Sequence, residues 1–427
     1  MPASRTYTDR SLVGGRLGAA LWPAGAPVWD RALVAGVGII ALCAAWTVVS
    51  AMLGSHPQPN LHSLQADAFL HGNLDVSRSV EDVALFRGRI YSPYPPAPAL
   101  LLVPFVAVFG TGGSIPIAIA VLLTLVNGWL ALRICRAAGL GERQAVLMTA
   151  ALLLGTAYWT ATTGSDSVWY FSHIVAMTGL LGAIERAMNH HPLAAGTLIG
   201  VAFLSRQFTV VALVFVLALL IDAEPGRAGR TRAVLYATIP VMACAVGYAW
   251  FNSSRFTGPI DTGYSYIVLS GFLAQRVEQH GLFDPAYIPF NFIYLFLQGF
   301  QVEFAGGQLL RTAGTSPFGT SITVASPFLF FAVLARRSRL VIAAGWCAIG
   351  VCVVGSLAYY NNGFAQQNAQ RFSLDFIPVL FVLMAWGVAR TRTRIWEATA
   401  IYAIGLNFIA LFVLAHTGPL EQLFGAR

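Results

Sequence analysis

Apolar runs long enough to cross a bilayer recur from Ala32 to Ala415, and the connections between them hold most of the charge. The first four run from Ala32 to Leu53, Ile115 to Ile134, Ala145 to Ala161 and Val168 to Ala187. Two short runs follow, Leu193 to Leu204 and Phe208 to Ile221. The last five are Ala233 to Phe251, Ile322 to Ala335, Leu340 to Tyr359, Phe376 to Ala389 and Trp396 to Ala415. Arginines cluster at Arg133/Arg136/Arg143, Arg186, Arg227/Arg230/Arg232, Arg336/Arg337/Arg339 and Arg390/Arg392/Arg394. Positively charged connections are retained on the cytoplasmic side, so an even number of crossings must separate neighbouring clusters. Parity therefore makes the two short runs a hairpin that turns at Ser205-Arg206-Gln207. The expectation is an all-α polytopic membrane protein with about 11 transmembrane helices, a cytoplasmic N-terminus and an outer C-terminus.

Residues 1–31 form a cytoplasmic segment in this scheme, and 32–427 a single transmembrane domain with outer loops 54–114, 252–321 and 360–375. Arg5, Arg10, Arg16 and Arg31 flank no short apolar core with a small-residue cleavage site, so no removable signal peptide is expected. The stretch Ala99 to Phe109 is too short to cross and is bounded by Pro98 and Gly110, which predicts a re-entrant or juxtamembrane helix. Asn60 to His71 reads as an amphipathic helix at the interface, capped by Asn60 and stopped by Gly72.

Composition sharpens this picture. The chain is 57% hydrophobic and 10% charged, with a mean hydropathy of +0.67. All 26 basic residues are arginine, placed mainly in the connections, so the basic balance reads as topology rather than nucleic-acid binding. The absence of lysine suggests a GC-rich genome, hence a bacterial inner membrane. Cys43, Cys135, Cys244, Cys347 and Cys352 lie within or at the end of apolar runs with no metal or disulfide spacing.

Ionisable groups this scarce mark where chemistry can occur. Asp67 shares a helical face with His71, and an acid held against a histidine near lipid could act as a general base, although a solvated face explains the pair equally well. His62 lies on the same helix. Glu81-Asp82 and Arg87-Gly88-Arg89-Ile90-Tyr91 precede Tyr94-Pro95-Pro96, a rigid turn that could aim Arg89, Tyr91 and Tyr94 at one spot. Asp166 opens an inward span, where acids commonly cap. Trp169 and Tyr170 beside it form an aromatic wall, and His173 sits one turn deeper, where an ionisable group is costly. Arg206 and Arg371 lie at expected membrane boundaries, where a guanidinium either snorkels or binds a lipid-linked phosphate. The amides before Arg371, Gln367 and Gln370 among them, suit sugar hydroxyls.

In this order and sidedness, the motifs resemble the GT-C class of membrane glycosyltransferases, which includes protein O-mannosyltransferases and the aminoarabinose transferases of lipid A. The resemblance rests on Gln65 to Gly72, on Gly88-Arg89-Ile90-Tyr91 with Tyr94-Pro95-Pro96-Ala97-Pro98, on Asp166, on Leu204-Ser205-Arg206, and on Gln370-Arg371-Phe372-Ser373-Leu374-Asp375-Phe376-Ile377-Pro378. It implies transfer of a sugar from a polyprenyl-phosphate donor to a cell-envelope acceptor among membrane lipids, usually with inversion. The class usually places an acid directly after the first span, where this chain reads His56-Pro57-Gln58-Pro59-Asn60. Either the base is displaced to Asp67, Asp166 or Asp82, or the chain is not a conventional transferase. The same gap removes the usual carboxylate for a divalent ion, so neither a metal nor another cofactor is expected. A transporter or flippase of lipid-linked saccharides is the rival class, but no internal repeat or midplane charge pair supports it. A polymerase or ligase of lipid-linked glycans would also use outer arginines.

Overall fold

The computed structural model describes residues 28–54, 59–309, 311–363, 369–391 and 394–414. Of the expectations above, most of the N-terminal segment, part of the link after the first span, and Gln367 lie outside these residues. Helix α1 (Val28–Leu53) leads to α2 (Leu61–Leu70), a hairpin of β1 (Ala84–Phe86) and β2 (Arg89–Tyr91), and α3 (Ala97–Phe109). Next come α4 (Ser114–Ala137), α5 (Glu142–Leu154), α6 (Tyr158–Thr163), α7 (Val168–Met188) and α8 (Pro192–Phe203). A 3-10 turn (Gln207–Val211) joins α8 to α9 (Ala212–Ala223), and α10 (Arg227–Ser253) follows.

The long connection after α10 folds into α11 (Gly271–His280), α12 (Ile288–Phe292) and a second hairpin, β3 (Val302–Ala305) with β4 (Arg311–Thr315). The chain ends with α13 (Ile322–Ala325), a 3-10 segment (Pro327–Leu334), α14 (Arg339–Leu357), a 3-10 turn (Arg371–Asp375), α15 (Ile377–Val388) and α16 (Ile395–Phe408). Six of the described helices are long and apolar enough to span, and five shorter apolar helices accompany them. The protein is a multi-pass, essentially all-helical membrane protein.

Helix α7 is the axis of the bundle: 89% of its apolar window is buried, against 11–39% in the other five long helices, which turn apolar faces outward. Small residues let its neighbours approach. Gly179 of α7 lies against Ala202 and Leu198 of α8, and Gly196 of α8 lies under the Ala237 carbonyl of α10, where a Cβ would collide.

Two expected spans are broken. The run Ala145 to Ala161 divides at Gly155 into α5 and α6, and Ile322 to Ala335 divides at Ser326. The breaks meet: Ser326 Oγ donates to the Gly155 carbonyl (2.7 Å), satisfying an acceptor freed by the interruption. A side chain at Gly155 would press on Ala403 and the Ile404 backbone.

Asn60 caps α2 as expected, accepting from the His62 amide (2.7 Å). Only part of the polar face of that helix is solvated, however. His62, Ser63 and Gln65 are fully buried, because α2 packs on α3 and turns His62 toward α7, where Nε2 meets Ser172 Oγ at 2.8 Å.

Candidate active site

The hairpin of α8 and α9 forms the floor of a hollow. Ala202 sits beside Gly179, about three turns into α7, so the chain turns at Ser205 well below the start of that helix. The missing upper turns leave a cavity of about 480 Å³ above Arg206. Asp82, Tyr94, Trp169, Arg206 and Arg371, widely separated in sequence, all line it.

Asp82 Oδ2 accepts from Tyr94 Oη (2.9 Å) and from Trp169 Nε1. Its backbone has φ of 60°, a left-handed conformation that a side-chain-bearing residue adopts at a cost. Burial, followed by the charge of Asp82, pushes the Tyr94 hydroxyl well above its usual pKa, so it stays a donor. Asp82 is thus a half-buried carboxylate held by neutral donors.

The guanidinium of Arg371 lies over Trp169 and Tyr170, 5.2 and 5.0 Å from the ring centroids. Trp169 therefore stands between acid and base, its indole nitrogen on Asp82 and its face toward Arg371. Arg206 makes a two-toothed bond to Asp375, Nε to Oδ1 at 2.6 Å and Nη2 to Oδ2 at 2.8 Å, which leaves Nη1 outside the pair. Burial works against ionising Asp375, yet the charge and hydrogen bonds of Arg206, together with His173 beside it, outweigh it and hold the carboxyl well below the usual carboxylate range. The fully buried His173 lies behind, its Nδ1 3.3 Å from Asp375 Oδ1 but outside hydrogen-bonding geometry.

The opposite wall comes from the long connection and the loop after α14. Tyr264 packs edge-on to Tyr94 (5.8 Å), and Tyr359 and Tyr360 also meet edge to face (4.6 Å). An isolated antiparallel bridge between Phe283 and Tyr359 joins these segments. Arg276 fastens the join from outside, donating Nη1 to the Tyr360 carbonyl (2.8 Å). Phenols beside aromatic faces suit a pyranose, whose C–H faces stack and whose hydroxyls need partners.

The remaining candidates lie elsewhere. Asp67 and His71 pair at 3.7 Å on an exposed flank of α2, and Asp67 is not among the residues lining the cavity. Asp166 is half-buried near Tyr170 and does not line it either. Arg89 is exposed against Asp75 (3.4 Å). Tyr91 is buried on Phe256 (5.5 Å). Gln370 gives its amide to the Phe318 carbonyl (2.7 Å), so it braces two loops. His62 is sealed behind Tyr94, 5.9 Å between rings. Burial pulls it down to about 3, which keeps it neutral. Asp375, Tyr264, Tyr359 and Tyr360 were not singled out from the sequence. Asp375 carried a usable signal, standing one helical turn after Arg371.

Arg255 is a further unsuspected group. It is buried with no carboxylate bonded to it among the described residues, donating to the carbonyls of Ser92 and Phe251 and to Asn252 Oδ1. Its charge is met by the end of α10 and by the rings of Phe251 and Phe256, and burial lowers its pKa to about 10. It ties the loop bearing Tyr94 to the bundle. Among the described residues, no three His, Cys, Asp or Glu side chains gather as a metal site.

Residues 92–262 match the model of Glycosyltransferase family 87. This segment carries the Tyr94 turn, Asp166, Trp169 and Arg206. A search of curated protein sequences gives no match. Among solved structures, the chain is similar to ArnT from Cupriavidus metallidurans bound to undecaprenyl phosphate, with 16% identity, a TM-score of 0.48, and 90% of this chain and 64% of that one covered. The apo state of the same protein gives 15% identity and a TM-score of 0.49, with 86% and 62% covered. The apo oligosaccharyltransferase of Archaeoglobus fulgidus gives 13% and 0.47, with 90% and 55% covered. The chain therefore spans less than two thirds of the length of these structures. The resemblance to GT-C membrane glycosyltransferases thus has a family match over the segment that builds much of the cavity.

Proposed function

We propose that the protein is a membrane glycosyltransferase that moves a sugar from a polyprenyl-phosphate donor to a cell-envelope acceptor on the outer side of a bacterial inner membrane. The observation that carries this reading is the convergence of Asp82, Arg371 and the open edge of Arg206 on one tyrosine-walled cavity. The family match over residues 92–262 supports the reaction class.

Asp82 is the general base of this reading, in preference to Asp67 and Asp166, which do not line the cavity. It takes the proton of an acceptor hydroxyl as that oxygen forms a bond to the anomeric carbon. The bond from that carbon to the donor phosphate oxygen breaks, and the electron pair leaves with the phosphate. Attack opposite the leaving group inverts the anomeric centre. Arg371 and Nη1 of Arg206 stabilise the negative charge that grows on the departing phosphate, the task a divalent ion performs in other sites. The transfer is accordingly metal-independent, and the acceptor is a glycan, lipid or protein of the envelope.

Incubating purified protein with synthetic polyprenyl-phosphate sugars and a panel of acceptors, followed by mass spectrometry, tests this. Release of polyprenyl phosphate with glycosylated acceptor, insensitive to chelator, is the expected result. Donor that stays intact while crossing proteoliposome membranes would replace the transferase with a flippase.

A further inference from the structure

Helix α14 ends at Leu357, and the last carbonyls of a helix have no partner within it. Here another segment supplies the partners. Five consecutive carbonyls, Ser356 to Tyr360, receive donors from residues 276–291. Asn291 Nδ2 reaches three of them, Leu357 at 2.9 Å, Tyr359 at 2.7 Å and, as a longer contact, Ser356 at 3.4 Å. The backbone amide of Asp284 takes the Ala358 carbonyl (2.9 Å), and Arg276 Nη1 takes that of Tyr360 (2.8 Å). Asn291 is 3% exposed, and its own Oδ1 makes no hydrogen bond among the described residues. A buried acceptor left unmet is costly, so the contacts of the amide nitrogen must outweigh that loss.

The stretch held in this way carries Ser356, Tyr359 and Tyr360, which line the cavity, whereas Asn291 does not. Tyr359 stands on the phosphate side: its ring lies 6.2 Å from that of Phe372, over which the Arg206 guanidinium sits. Tyr360 stands on the base side, close enough to Asp82 to feel its charge. In a displacement at the anomeric carbon, that carbon lies between the attacking hydroxyl and the leaving phosphate. The sugar of the donor must therefore lie between Asp82 and Arg206, against these two rings. Backbone hydrogen bonds to carbonyls 359 and 360 decide where the rings point.

We propose that Asn291 is a positioning residue for the sugar end of the donor: by capping α14 from outside the cavity it holds Tyr359 and Tyr360 against the sugar, and it takes no part in holding the phosphate. This inference rests on the proposed glycosyl transfer from a phosphate-linked donor. Its signature is a split between two ligands that differ only in the sugar, which general damage to the fold does not produce.

The test measures binding to detergent-solubilised protein of two ligands, the synthetic undecaprenyl-phosphate sugar consumed in the transfer assay and undecaprenyl phosphate itself. Asn291→Ala should bind the sugar-bearing donor roughly tenfold more weakly than wild type, with affinity for undecaprenyl phosphate within about twofold. Tyr359→Ala should give the same split, and adding Asn291→Ala to it should cost less than about a further twofold, because both changes act on one wall. Arg276→Gln, which takes the guanidinium from the Tyr360 carbonyl, should show the split at roughly threefold and decides the matter if Asn291→Ala does not fold. Affinities that fall together, an unchanged donor affinity in folded protein, or a full tenfold loss for Asn291→Ala on the Tyr359→Ala background would each overturn the inference. The reading it rests on fails separately, on wild type alone. If undecaprenyl phosphate binds no better than neutral undecaprenol and no donor is consumed, the phosphate-linked transfer is refuted and this inference falls with it.

Discussion

The two ends of α7 handle charge differently. At the arginine-rich end, carboxylates and guanidiniums neutralise one another. Arg133 bonds Glu185 at 2.6 Å, Arg136 takes both oxygens of Glu142, and Arg143 takes both of Glu397 at 2.7 and 3.0 Å. About 24 Å away along the helix, Arg206 pairs with Asp375, but Asp82, among the described residues, is held by a phenol and an indole. Paired charges cost little at a water boundary, and they hold helix ends together. A carboxylate held by neutral donors inside a hollow is expensive to maintain, which is where chemistry is expected to reside.

Substitutions on the two sides should therefore fail differently. The largest effect is expected for Asp82→Asn, which keeps the Tyr94 and Trp169 contacts and removes the proton acceptor. Turnover should fall by about 10³-fold with donor binding within a few-fold of wild type, as checked by a product assay beside donor titration. Turnover close to wild type would remove Asp82 from the chemistry. Next, Arg371→Ala should weaken donor binding by about 2–3 kcal/mol, some 30- to 150-fold, measured on the same donor; unchanged affinity would separate this arginine from the phosphate.

At the other end, Glu397→Gln should leave kcat within about twofold while lowering stability by about 1–2 kcal/mol, because one partner of the pair is partly exposed. A melting curve in detergent reads it, and a loss of activity without a loss of stability would erase the contrast between the two ends. The smallest and most gradual effect concerns His62. Its folded pKa near 3 lies below the unfolded value of 6.5, so the unfolded chain binds the proton first. The stability it contributes is present above pH 6.5 and is lost as pH falls from there toward 3, with a slope of up to about 1.4 kcal/mol per pH unit. His62→Asn should flatten that slope in pH-dependent unfolding, and an unaltered slope would assign it to other groups.

Much of this contrast was legible in the sequence. The parity of the arginine clusters required two short runs around Ser205-Arg206-Gln207, and the structure has a hairpin there whose shortness creates the cavity floor. The pairing of Asp67 with His71 also followed from helical spacing. Spacing does not say which face of a short helix is buried, so the same segment gave no warning that His62 would be sealed and Asp67 left on the flank. Nor does sequence reveal where an amide goes. Gln370 suited a sugar, and it bonds the Phe318 carbonyl because two distant loops cross there. The tyrosine wall escaped notice for a similar reason: Tyr359 is joined to the long connection by an isolated bridge to Phe283, with no periodic pattern to announce it.

The close crossing of α8 over α10 has its own consequence. Gly196 has no room for a β-carbon beneath Ala237, so even alanine there would lever the two rods apart. Because α8 carries Arg206 at its far end, that tilt would displace the guanidinium. A saturation-mutagenesis screen for growth or product should rank position 196 among the least forgiving, although it lies some ten residues from any group that meets a substrate.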